Sequence, residues 1–224
     1  VAGISIGAIN AALIAGNAPE VRVERLRAFW ESVSHDTLDV PATDLRILAQ
    51  AWFRDFNPRG LANMAAATRV MFQGQRGFFE PRVPPAWLRA SGTAGATSFY
   101  DTAPLAATLA RLVDFDRLNA GVVRATFGAV NVATGDFVYF DTDVPRHRPL
   151  GLAHVMASGA LPPAFAPVAI GDELYWDGGL VSNTPLEYVL DAEPRTDTLA
   201  FQVDLWSAKG EQPADILDVL ERQK

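Results

Sequence analysis

Val1-Ala2-Gly3-Ile4-Ser5-Ile6-Gly7-Ala8-Ile9-Asn10 opens the chain. The run reads as the end of a buried strand, a tight turn with Ser5 at its apex, and the start of an apolar helix. A Gly-x-Ser-x-Gly turn between strand and helix is the pattern of a nucleophile elbow, in which a strained bend lifts a serine hydroxyl clear of a sheet. Gly3 and Gly7 suit that bend because a Cβ at either flank is expected to collide with the neighbouring strand or helix. The Ile6 N–H and the positive end of the helix are then placed to stabilise an oxyanion forming beside Ser5. A Gly/Ser turn feeding a close-packed helix accounts for the same residues without chemistry, so the motif needs a partner elsewhere.

Composition narrows the field. The chain has 224 residues, 49% of them hydrophobic, which is ample for a sizeable core. Its net charge of −7 argues against a nucleic-acid partner, because such proteins carry a basic footprint. With no cysteine and three scattered histidines, neither a metal site nor another cofactor is expected. No stretch of 18 uninterrupted apolar residues is present, so no transmembrane span is expected and the protein reads as cytoplasmic. The chain starts without Met in mid-strand and ends in an apparent helix, and it reads as a fragment clipped at both ends. Its oligomeric state is not legible.

Outward from the opening turn, residues 6–15 are small and apolar all round, as in a buried helix. Residues 21–33 place Val23, Leu26, Trp30 and Val33 on one helical face. Residues 45–56 and 61–72 are further amphipathic helix candidates. Asp101-Thr102-Ala103-Pro104 caps a helix running to about Val113. Residues 122–132 and 137–141 read as strands joined by the hairpin signal Ala133-Thr134-Gly135-Asp136, with Asn131 as a turn residue. A helix over 150–159 precedes the Pro162-Pro163 break. A strand over 173–176 leads into Asp177-Gly178-Gly179, and Asn183-Thr184-Pro185 starts another helix. Residues 198–205 read as a buried strand and 214–224 as an amphipathic helix. Strands alternating with helices define an α/β chain.

Residues 46–89 stand apart, with seven arginines against Asp55 and Glu80 and with Trp52, Phe53, Phe56, Phe72, Phe78, Phe79 and Trp87 interleaved. Basic and large apolar residues together suit an anionic lipid surface or an acidic ligand, and hence peripheral contact with a membrane. A helical subdomain with its own core and a solvated arginine face explains the same composition and is the preferred reading.

A serine hydroxyl is a weak nucleophile until a base takes its proton. One candidate base is a histidine, but an α/β-hydrolase triad runs in the order Ser, acid, His. No histidine follows His154, which would need Asp136 or Asp141 to orient it. His35 lies in a polar stretch and His147 between two arginines. The other candidate is Asp177, at the end of a strand and before two glycines that permit a sharp turn and a close approach. Its apolar neighbours Trp176, Leu180 and Val181 would desolvate the carboxylate and raise its basicity. An ordinary Asp-Gly-Gly turn is the plain alternative.

Taken together, the Ser5 elbow, the Asp177-Gly178-Gly179 turn some 170 residues on, and Asn183-x-Pro185 resemble the patatin-like phospholipases, a family of serine lipid acyl hydrolases. The run Ala157-Ser158-Gly159-Ala160-Leu161-Pro162-Pro163-Ala164-Phe165-Ala166-Pro167 matches the segment that precedes the aspartate in that family. The likeness covers residues 1 to about 190, and 191–224 resembles a C-terminal extension of a bacterial subgroup that continues the α/β core. Residues 46–89 would then be an insertion or cap within the hydrolase domain. The resemblance implies a three-layer α/β/α fold with Ser5 as nucleophile and Asp177 as general base. Gly3, Ile6, Gly7, Gly178 and Gly179 would support the motif and the oxyanion, and Asn183 would steady the Asp177 turn or cap the next helix. It also implies a glycine-rich oxyanion loop, which would lie before Val1 together with the strand it follows. The expected substrate is a lipid or other acyl ester. The contrasting reading is a scaffold of the same fold that binds lipid or protein with little turnover.

Overall fold

The computed structural model describes residues 1–34, 69–194, 197–203, 210 and 212. The expected helices over 45–56 and 214–224 and His35 lie outside these residues, as does most of the helix over 61–72, of which 69–72 is helical. The chain forms two compact units, Val1–Pro185 and Leu186–Lys224.

In the first unit, β1 (Ala2–Ile4) runs directly into α1 (Ile6–Ala15), as the opening sequence requires. α2 (Arg22–Val33) follows, then the two-residue strands β2 (Glu80–Pro81) and β3 (Tyr100–Asp101), which pair with each other. α3 (Ala103–Leu112) starts where expected, with Pro104 in its first turn and its Ala103 N–H donating to Asp101 Oδ1, while the N-cap residue Thr102 makes no side-chain cap bond. The short α4 (Phe115–Asn119) leads to β4 (Thr126–Asn131) and β5 (Phe137–Asp141). α5 (Leu152–Ser158), β6 (Val168–Ile170) and β7 (Glu173–Asp177) complete the unit. This is an α/β fold around a mixed five-stranded sheet.

β4 is the centre of that sheet. β5 lies antiparallel along one edge, pairing Thr126 with Asp141 through to Val130 with Phe137. The other edge is shared. β1 runs parallel along its first half, ending with Ile4 opposite Gly128. β7 runs antiparallel along its second half, ending with Asp177 opposite Ala129. The C-terminal ends of β1 and β7 therefore meet head to head beside two consecutive residues of β4.

The same registers assign the faces, since paired residues share a side and alternate along the strand. Phe127, Ala129, Phe140 and Tyr175 lie on one side and join the buried core with α1 and α5. Ala8, Ile9, Ala11, Ala12, Leu13 and Ala15 of α1 are all buried there. Ile9 and Leu13 each contribute about 1.5–3 kcal/mol by leaving water, while the alanines let the helix approach the sheet closely.

The amphipathic reading of α2 needs correction. Val23 is 68% exposed, and Trp30 stands at the rim, donating from its indole N–H to Asn10 Oδ1. The inward stripe is Leu26, Phe29 and Val33, spaced i, i+3, i+7, with Phe29 fully buried. The strand expected from 122 begins only at Thr126, because Gly121 turns the chain with φ +73° and leaves Val122 in solvent. The helix expected over 150–159 is confined to Leu152–Ser158.

The second unit begins with α6 (Leu186–Leu190). Residues 197–203 are not a strand, against expectation, and Leu199, Phe201 and Val203 are exposed. No helix among the described residues is long and apolar enough to cross a membrane.

Candidate active site

Ser5 sits between β1 and α1 with φ 57° and ψ −125°, the only non-glycine residue with positive φ among those described. Such a conformation costs of order 1–3 kcal/mol and persists only where the surroundings hold it. Two things hold it here. The first is Gly3, which pairs with Phe127 and so faces the side covered by α1. A Cβ on Gly3 would stand 2.1 Å from the Gly7 carbonyl carbon, so the strand and helix meet backbone to backbone. The second is a forked hydrogen bond from the Ser5 N–H to Ser158, 3.1 Å to its carbonyl oxygen and 3.1 Å to its hydroxyl.

Gly7 does not serve the purpose expected of it. A Cβ there meets nothing within 4 Å, so no collision explains the glycine, and the space beside the first turn of α1 is open. The N–H groups of Ile6 and Gly7 belong to that turn, where a helix supplies no carbonyl partner.

The head-to-head meeting of β1 and β7 brings together residues 172 apart in sequence. The Ser5 hydroxyl donates to Asp177 Oδ2 at 2.6 Å. Asp177 Oδ1 accepts from the Gly179 N–H at 2.7 Å, which fixes the carboxylate plane. Asp177 is 1% exposed. Burial pushes its pKa up from the usual carboxylate value, and the hydrogen bonds from Ser5 and Gly179 only partly offset this. Of the two glycines after it, Gly178 is sterically required, while Gly179 meets only side-chain atoms. A Cβ on Gly178 would lie 2.7 Å from the Gly128 oxygen, and one on Gly179 would lie 2.6 Å from Asn183 Oδ1 and 3.1 Å from Asp177 Oδ1.

Asn183 is thus a neighbour of the Asp177 turn, but the expected bond from its side chain to that turn is absent among the described contacts. α6 starts three residues later, at Leu186, so Asn183 does not occupy its N-cap position either.

The two described histidines are engaged elsewhere. His154 Nδ1 accepts from the Gly151 N–H at the start of α5, and its ring packs edge-on against Phe140 at 4.8 Å. Burial holds its pKa below the ordinary value. His147 Nδ1 accepts from the Asp141 N–H. Asp141 itself is fully buried in an ion pair with Arg124. Among the described residues no histidine bonds to Ser5 or Asp177, so the His154 triad with Asp136 or Asp141 is not formed.

Two contributors escaped the sequence reading. Gly128 lies where the ends of β1 and β7 converge, and a Cβ on it would strike Phe137 at 2.6 Å and Ile4 at 2.9 Å. A glycine within an otherwise apolar strand signals such close approach. Ser158 was visible within the Ala157–Pro167 run but carried no assigned role. Its burial and its bond to Ser5, 153 residues away, belong to tertiary structure alone.

The family model for patatin-like phospholipase matches residues 1–190. The chain therefore belongs to the patatin-like phospholipase family. VipD from Legionella pneumophila is similar in structure, at 16% identity over 83% of this chain, with a TM-score of 0.34. This chain spans about 41% of the length of that one, and the likeness is too distant to bear on the site. No curated protein matches the sequence at a significant level.

Proposed function

We propose that this chain hydrolyses carboxylic esters of lipids, in the manner of a phospholipase A, lysophospholipase or esterase, with Ser5 as nucleophile and Asp177 as general base. The observation that carries this reading is the 2.6 Å hydrogen bond from a serine on a strained turn to a buried carboxylate. Burial makes the carboxylate a stronger base than a solvated one, and direct contact removes the need for an imidazole relay.

The Ser5 oxygen attacks the ester carbonyl carbon as its proton passes to Asp177 Oδ2. The tetrahedral intermediate collapses, the leaving alcohol takes that proton, and an acyl-Ser5 ester remains. Water attacks this ester, giving its proton to Asp177. Collapse then releases the fatty acid and returns the proton to the Ser5 oxygen. The Ile6 N–H, at the positive end of α1, is a donor for the oxyanion in both halves of the reaction.

A fluorophosphonate probe tests the reading, since it labels only an activated serine. Labelling at Ser5 is expected, and Ser5→Ala should lose both labelling and roughly 10⁴-fold or more of the ester hydrolysis rate. An unlabelled wild-type protein would overturn this reading and favour a scaffold that binds without turnover.

The basic, aromatic stretch bears on how a lipid aggregate is met. Within residues 69–89, Met71, Phe72, Val83, Trp87 and Leu88 are exposed, a combination suited to an acyl–headgroup boundary. Vesicles containing anionic phospholipid are expected to retain the protein at low ionic strength and release it as salt rises. Binding indifferent to salt would argue against this contact.

A further inference from the structure

The two members of the Ser5–Asp177 pair are held by one short segment, although they come from opposite ends of the first unit. At its start, Ser158 receives the Ser5 N–H on both its carbonyl oxygen and its hydroxyl. At its end, Ala160 receives the Asp177 N–H on its carbonyl oxygen at 3.1 Å. Both residues are buried. The Ser158 hydroxyl in turn donates to the Gly128 carbonyl at 2.6 Å, on the strand against which β1 and β7 end. One side chain therefore links the elbow, the central strand and the end of α5.

We propose that residues 158–160 act as a brace that sets the separation of Ser5 and Asp177, and that Ser158 is a positioning residue for the reaction proposed above. A hydroxyl is needed at 158 because it accepts from one backbone and donates to another at the same time. Alanine can do neither, and it leaves the Gly128 carbonyl oxygen without this donor. The elbow then keeps only the main-chain half of its fork, while Ser5 retains its left-handed strain. Reaction rates respond steeply to such loosening, since a misplacement of about 1 Å can lower a rate by roughly 10²-fold.

This inference rests on the esterase reading, so its test reports on the two separately. Ser158→Ala is compared with wild type for turnover per fluorophosphonate-titrated site, KM, Tm and crystal structure. Val155→Ala, a buried substitution on the same helix, serves as the control for general destabilisation. Ser158→Ala is expected to lower kcat per titrated site by about 10–100-fold with KM within about twofold, while Val155→Ala lowers Tm and leaves kcat per site unchanged. A Ser158→Ala enzyme with full turnover per site overturns the brace. If wild type itself is not labelled, the esterase reading fails, and the crystal structures still decide the brace. An Oγ–Oδ2 separation beyond hydrogen-bond reach in Ser158→Ala supports it, and retention of the wild-type distance refutes it.

Discussion

Asp177→Asn is expected to slow ester hydrolysis by about 10²–10⁴-fold and, at neutral pH, to raise the melting temperature. The two effects have one cause. Asn preserves the shape of the side chain, accepts from the Gly179 N–H and donates to the Ser5 oxygen, but it cannot take a proton. In the wild type, burial lifts the folded-state pKa of Asp177 above the unfolded value near 3.8. Between the two values the folded protein holds a proton that the unfolded chain has already released. Its stability contribution is fully present below the unfolded pKa and is lost as pH rises through the folded one. Above the folded-state pKa the wild type carries this loss, and the asparagine variant, which does not titrate, carries none. Each kcal/mol recovered is worth about 2–4 °C in a chain of this size. The gain should shrink on titration into acid, and the acid limb of the wild-type rate profile should lie above that of a solvated aspartate. A variant that keeps its activity, or whose Tm gain grows toward low pH, would contradict this account of the carboxylate.

Gly3→Ala should be the more damaging substitution for the fold. Its methyl would lie 2.1 Å from both the carbon and the oxygen of the Gly7 carbonyl and 2.6 Å from the Ala8 nitrogen, all backbone atoms that no rotamer change can move aside. Overpacking commonly costs 1–3 kcal/mol, and a clash with backbone on two elements belongs at the upper end, about 3 kcal/mol or more. That corresponds to a Tm lowered by roughly 6–12 °C. Gly7→Ala should do the opposite, since its methyl enters open space and helix propensity favours alanine by about 1 kcal/mol. Thermal melts of the two variants check the contrast. A Gly7→Ala protein that is more stable yet slower would mark the space beside α1 as room for substrate.

The difference between these glycines also shows what a linear sequence can carry. The pattern Gly3-x-Ser5-x-Gly7 was legible because its reasons are local: a turn, a strand end, a helix start. The collision at Gly3 follows from that turn, but whether Gly7 faces a neighbour depends on what packs across from it. Asp177 was legible as a candidate through its two glycines, of which Gly178 is needed for close approach to the Gly128 backbone. Pairing it with Ser5 rested on resemblance, because no spacing rule links residues 172 apart. α1, α3 and the β4–β5 hairpin follow from periodicity, capping and turn chemistry. The buried face of α2 was misread by one position, since Phe29 and Trp30 are adjacent and the core chose Phe29. Residues 198–203 have the alternation of a strand but are not in one.

β4 acts as a shared ruler for the Ser5 hydroxyl and the Asp177 carboxylate. Because β1 and β7 end beside its consecutive residues Gly128 and Ala129, any slide of that strand carries both groups in the same direction and leaves the gap between them nearly constant. Only a slip of one neighbour alone would open it. Apart from residues 158–160, which bond to both partners, segments joining these strands are thus free to lengthen, shorten or diverge with little leverage on that distance. Changes of substrate could accumulate in the connections while the distance from alcohol to carboxylate stayed the same.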